Sequence, residues 1–314
     1  MRLVFSAVAV VSLCAAPAFA QSEKSAQSET INTRPQPPML GKHWARGQAK
    51  PDASAGGRPV NLTYHNGPVI TASTVVHPIY WGTSWSNSSF VGDKITGLAS
   101  FYGGVGGTNY LGTNTEYTQT NQSHVSKALT LGTGFIDAGS SAPSGAPATG
   151  DILAEVCKVA TGSALVTDGY YPVYVDTPRG NAGYCAWHSW GKCGNTNIQF
   201  AFFFNLDGDG GCDPSDTSND GHSQGLAALA NVSGHELSER QTDPLGNAWY
   251  DRQGAENSDK CAWTFGANTL TFANGSTWKV QGNWSNNAYN ANQGYVDHTY
   301  YSGQKIRGCI DGTN

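Results

Sequence analysis

The sequence predicts an α+β fold for residues 59–314, a single domain with a mixed β-sheet, a metal-binding helix and disulfide-stapled loops. Three observations predict it. β-like and helical runs are interspersed without regular β-α-β alternation. Residues 197–206 form a nearly continuous apolar run with Phe200, Phe202, Phe203 and Phe204, which reads as a buried central strand. Leu226, Leu229, Ala230, Ser233 and Leu237 then recur at helical spacing.

The elements follow in chain order. Residues 1–20 carry Arg2, an apolar run from Leu3 to Ala16, Pro17 and Ala18-Phe19-Ala20. That is the pattern of a secretory signal peptide, with the mature chain starting near Gln21. Leu13 precedes Cys14 where a lipoprotein anchor would need a small residue. Residues 21–58 are rich in Ser, Pro, Gln, Ala and Lys and bury too little to offset ordering entropy, so they read as a flexible arm or a propeptide. The remainder, roughly 255 residues, is near the upper end for one domain.

Residues 61–65 are β-like, and Asn66-Gly67 is a hairpin signal before Pro68-Val69-Ile70. A strand is expected over 73–81, a helix over 87–102 closed by Gly103-Gly104, and short strands over 110–118 and 128–135. A helix over 150–160 and a strand over 170–175 precede the 197–206 strand. Short β-like pieces separated by Asn and Gly follow the metal helix as far as Cys309.

Charged residues are only 13% of the chain and the formal net charge is −5, which gives no reason to expect a nucleic-acid partner. No second apolar run is long enough to span a membrane. The expected location is secreted or periplasmic. Behind the signal peptide stand six cysteines, Cys157, Cys185, Cys193, Cys212, Cys261 and Cys309. Their even number points to disulfides, with fifteen connectivities open. No Cys-x-x-Cys pair occurs, so neither a thiolate zinc site nor thioredoxin chemistry is expected.

The chemistry is concentrated in residues 234–244. On a helix, His235 and Glu239 lie one turn apart on one face and can grip one cation, while Glu236 projects to a neighbouring edge as a general base. This is the layout of a zincin helix with glutamate in place of the second histidine, and it predicts a zincin-like core holding zinc. The plainer alternative is an amphipathic helix with a solvated charged face. A catalytic zinc needs another protein ligand, and Glu256 is the leading choice with Asp259 next, from an acidic stretch that also holds Asp243 and Asp251. Asp243, close to the helix end, is expected to orient a ligand.

His188, in Cys185-Ala186-Trp187-His188-Ser189-Trp190, is a second catalytic candidate. It can stabilise an oxyanion, bind substrate or complete the metal shell; the alternative is a packed core histidine. No Gly-x-Ser-x-Gly elbow supports a serine triad. Residues 205–216 resemble an EF-hand loop, with oxygen side chains at positions one, three, five and nine and glycine at six, so calcium is a second expected cofactor.

Leu62-Thr63-Tyr64-His65-Asn66-Gly67-Pro68-Val69, Cys185-x-x-His188 and Thr242-Asp243-Pro244-Leu245-Gly246-Asn247-Ala248-Trp249-Tyr250 together resemble the EXORDIUM, or phosphate-induced protein, family of secreted plant proteins and their microbial relatives. The resemblance implies two functions. Microbial relatives retain His-Glu-x-x-Glu, Thr-Asp-Pro and a motif matching Gly254-Ala255-Glu256-Asn257-Ser258-Asp259-Lys260-Cys261, the set an active enzyme needs. Plant members are associated with the cell wall and growth. The first expectation is therefore a zinc metallopeptidase with an extracellular protein or peptide substrate. The second is a non-catalytic protein that binds polysaccharide or cell wall through Trp249, Trp263, Trp278 and Trp284.

Overall fold

The computed structural model describes residues 36–48, 61–214, 220–267, 269–297 and 306–313. The signal-peptide reading at 1–20 and most of the 21–58 arm lie outside them. Inside the arm, however, residues Leu40–Trp44 form strand β1, so this part of it belongs to the sheet.

β2 (Thr63–Tyr64) does not form the hairpin expected at Asn66-Gly67. It pairs with residues Trp249–Tyr250, Tyr64 opposite Trp249, and their rings lie 5.3 Å apart. The His65 and Gly67 N–H groups donate to Ala248 O and Asn247 O, so Asn66, at φ 70°, turns the chain toward that distant segment. Aromatic packing outweighs the local turn preference here. The 73–81 run divides into β3 (Thr74–Val76) and β4 (Ile79–Trp81). Pro78 lies between them and has no N–H for a ladder.

The helix expected over 87–102 is two helices, α1 (Ser88–Val91) and α2 (Lys94–Val105), separated where Gly92 takes φ 50°. α2 continues through Gly103-Gly104. Residues 110–118 are not a strand: α3 (Asn109–Gly112) is capped by Thr108, whose Oγ1 accepts the Leu111 N–H, and a 3-10 turn continues to Glu116. The cap and the following turn override the β-propensity of Tyr110 and Thr113. β5 (Leu129–Leu131) and β6 (Phe135–Asp137) divide the run expected over 128–135. α4 (Thr149–Val159), β7 (Tyr170–Pro178) and β9 (Thr196–Asn205) lie where the sequence places them, and β8 (Tyr184–Cys193) adds a strand.

The main sheet has eight strands and is mixed. β9 is central, parallel to β7 and antiparallel to β8. β7 continues in parallel to β3 and β4, which pair with β5 and β6. β1 lies antiparallel on the outer side of β8. Phe200, Phe202, Phe203 and Phe204 are all fully buried, as a strand covered on both faces requires.

Against this sheet lies α5 (Gln224–Thr242), opened by Ser223, whose side chain accepts the Leu226 N–H. α5 touches β1, β8, β9 and α2. Gly97 of α2 lets it approach closely, since a Cβ there would lie 2.1 Å from Leu226 Cδ2. The expected apolar stripe is only part of the buried surface: every residue from Gly225 to Thr242 is buried. The solvated-face alternative is thereby corrected, because neighbours cover the charged side as well.

β10 (Trp249–Tyr250), β11 (Leu270–Thr271), β12 (Thr277–Trp278) and β13 (Asn283–Trp284) follow, then α6 (Asn286–Asn290), β14 (Tyr295–Asp297) and β15 (Ile306–Ile310). The described residues form one compact unit. Among the described residues no helix is long and apolar enough to cross a membrane.

All six cysteines behind the signal-like segment are bridged, Cys157–Cys193, Cys185–Cys212 and Cys261–Cys309. Bridges of this kind persist in oxidising compartments. Cys261–Cys309 ties the loop after α5 to β15 across a separation of 48 residues. By loop-closure entropy, replacing both cysteines with alanine should cost about 4 kcal/mol. Urea denaturation checks this, and an unchanged midpoint would show that the bridge does not stabilise the fold.

Candidate metal centre

α5 carries His235, Glu236, Glu239 and Arg240 at zero exposure. Burying such groups costs several kcal/mol unless partners compensate. Arg240 is accounted for: its guanidinium donates to Thr74 Oγ1 and Asp168 O, both at 2.6 Å. His235 and Glu239 face the loop after the helix, and Glu236 lies beside His188 and Glu239.

His235 Nε2 lies 3.1 Å from Glu239 Oε1 and 3.7 Å from Asp259 Oδ1. The i, i+4 spacing accounts for the first distance. The Asp259 N–H donates to Glu239 Oε1 at 2.8 Å, which draws the loop onto the helix. Despite these approaches, His235 Nε2 makes no hydrogen bond. Zinc bonds of about 2.0–2.1 Å in a tetrahedron set ligand atoms roughly 3.3 Å apart. The two distances bracket that spacing, and imidazole nitrogen with carboxylate oxygen is an ordinary zinc donor set. These three residues could together hold a metal ion.

The expected third ligands therefore take different places. Asp259 converges with His235 and Glu239, while Glu256 lies against His188, with Oε2 3.2 Å from His188 Nε2. His188 Nε2 is also 3.9 Å from Glu239 Oε2, and His188, Glu236 and Glu239 form a second converging group. His188 is thus joined to the centre through Glu239, from the middle of β8.

Asp243 Oδ1 accepts the Asn247 and Ala248 N–H groups and closes the turn after α5. Burial, reinforced by the Glu256 charge, raises its carboxyl to about 7. Asp251 caps the next turn by accepting the Gln253 and Ala255 N–H groups, and it pairs with buried Lys260 at 3.0 Å.

Burial lowers the His235 imidazole to about 4 against the opposing pull of Asp259, which leaves it neutral as a ligand must be. Burial likewise lowers His188. The Glu236 carboxyl is raised well above the usual range, by burial first and then by the like charges of Glu239, Asp259 and Glu256. Neither of its oxygens has a hydrogen-bond partner in good geometry, although the nearby His43 backbone N–H opposes part of the rise.

One feature departs from an ideal ligand. His235 Nδ1 lies 3.1 Å from Gln281 Nε2, which also donates to Ser258 O at 2.8 Å. Ligation through Nε2 places the ring proton on Nδ1, which then needs an acceptor. A loaded site therefore requires the Gln281 amide to turn its oxygen to the ring. With the proton on Nε2 instead, His235 faces Glu239 and Asp259 as a donor.

Sequence reasoning missed Gln281 and also His43, which stacks on His235 at a centroid distance of 4.0 Å. The one signal for His43 was a His-Trp pair inside an otherwise polar arm. In the EF-hand-like loop, Asp207 pairs with Lys94, and Asp209 accepts two Arg179 bonds at 2.5 and 2.8 Å. Ser215 and Asp216 lie outside the described residues. Of the four tryptophans weighed for polysaccharide, Trp278 and Trp284 are fully buried, and Trp249 and Trp263 are half-buried against other rings. No protein-family model matches the chain, and no curated protein matches it.

Proposed function

We propose that the chain is an exported zinc-dependent hydrolase acting on peptide bonds. The observation that supports it most is the convergence of His235, Glu239 and Asp259, with buried Glu236 beside them. A helix of this pattern beside a mixed sheet is what a zincin-like core would present. His235, Glu239 and Asp259 would hold the metal, with His188 and Glu256 adjoining through Glu239. Zinc, when bound, supplies Lewis acidity toward a carbonyl oxygen and toward an attacking water.

Glu236 then acts as general base and acid. It would take a proton from water and pass it to the leaving amine. His188 is placed to orient Glu256 and Glu239. A relationship to the EXORDIUM family rests on the three sequence motifs alone, and export rests on the sequence of residues 1–20 with the disulfides in agreement. Polysaccharide binding is less favoured, since Trp278 and Trp284 are fully buried and Trp249 and Trp263 pack against other rings.

Casein hydrolysis, assayed with the arm intact and cut, tests the proposal. Activity should disappear on chelation and return with zinc; activity indifferent to chelator would refute the metal mechanism.

A further inference from the structure

The strand β1 passes directly over the metal-ligand cluster. It pairs antiparallel with β8, Leu40 opposite His188, His43 opposite Ala186 and Trp44 opposite Tyr184, with register breaks between them. At the first break Gly41 takes φ 46°, and a Cβ there would lie 2.0 Å from Glu239 Oε2 and 2.5 Å from the His188 ring. Only glycine fits so close to those side chains. Two residues on, His43 is buried between the His235 and Trp263 rings, and neither of its ring nitrogens makes a hydrogen bond. The His43 backbone N–H meets Glu236.

For stability alone this is a poor arrangement, because a buried polar ring without partners costs about 1–3 kcal/mol for each unsatisfied group. As a mode of peptide recognition it is coherent. An extended peptide added to a sheet edge gains main-chain hydrogen bonds, while side-chain fit sets specificity. Met39, Leu40, Gly41, Lys42 and Trp44 form one wall of a cavity of about 380 Å³ whose other wall includes Asp243, Tyr250, Glu256 and Asp259. Without β1, the edge of β8 and the metal-ligand side chains would face that cavity together.

We propose that the edge of β8 is a binding groove for an extended peptide with glycine opposite Glu239 and His188, and that Leu40–Trp44 is its resident intramolecular ligand, whose release opens the cluster. The groove rests on geometry; its consequence for hydrolysis rests on the peptidase reading.

To test it, a recognition sequence for a site-specific protease replaces residues 51–56 of the full chain. The protein is cut, and the released fragment is removed by gel filtration. A labelled peptide of residues 36–48 should bind the cut protein and not the uncut one, and its Gly41→Val form should bind at least about tenfold more weakly. Casein hydrolysis should rise on cutting and fall when the peptide is returned. Equal binding of the two peptides, or no gain in binding on cutting, overturns the proposal.

Binding as expected without hydrolysis upholds the groove and removes the peptidase reading. Hydrolysis indifferent to cutting and to peptide, together with no gain in binding on cutting, removes the groove and leaves that reading standing. Should the cut protein unfold, Gly41→Val in the intact chain provides the measurement. Amide exchange across Leu40–Trp44 should then rise at least about tenfold while α5 stays protected, as expected for local release. Unchanged exchange across that strand overturns the proposal.

Discussion

Glu236→Gln should reduce hydrolysis by at least about a hundredfold in whichever form of the wild type, cut or intact, is active, the usual scale for lost acid-base catalysis. Zinc should remain bound. The substitution keeps shape and volume and removes only the ionisable oxygen. Glu236 is at zero exposure, pressed by the charges of Glu239, Asp259 and Glu256, and without a good hydrogen-bond partner. A neutral amide relieves that crowding, so the variant should fold at least as well as the wild type. That pairing of greater stability with lower activity separates a catalytic role from a structural one. An active wild type matched by an equally active Glu236→Gln would remove α5 from the mechanism.

His235→Ala should remove stoichiometric zinc. It deletes the imidazole that lies within 3.1 Å of Glu239 and 3.7 Å of Asp259, leaving carboxylates as the only remaining ligands of that group. The loss should exceed the roughly 10–100-fold drop that follows removal of an outer partner. Gln281→Ala, by comparison, takes away only a neighbour of Nδ1 and should fall in that smaller range. Metal titration of both folded variants checks the ordering. Equal affinities for the two would mean that His235 is not a ligand.

Much of the centre was legible because helical periodicity is local. His235 and Glu239 meet through i, i+4 spacing alone, and the Phe-rich run had to be a buried strand. The loop ligands were less legible. Choosing between Glu256 and Asp259 depends on a 3-10 turn at Asp259–Cys261 and on the Asp259 N–H reaching Glu239, neither of which spacing can fix. The β8 strand was hidden because its Cys, Trp and His residues read first as a site. β1 was hidden for a different reason: composition marked 21–58 as disordered, while five residues of it gain sheet pairing far along the chain. Asn66-Gly67 misled because a local turn preference yields to long-range pairing, in which a cross-strand aromatic pair contributes roughly 0.2–1 kcal/mol. The burial of all of α5 was equally illegible, since what covers a helix is set by elements distant in sequence.

The central claim is that α5 and the Asp259 loop hold a metal. Elemental analysis of the purified wild-type protein, exchanged into metal-free buffer after brief exposure to zinc, tests it most directly. The account predicts about one tightly held zinc per chain, the stoichiometry of a single His-carboxylate site. A folded, fully disulfide-bonded protein that retains no zinc would contradict it.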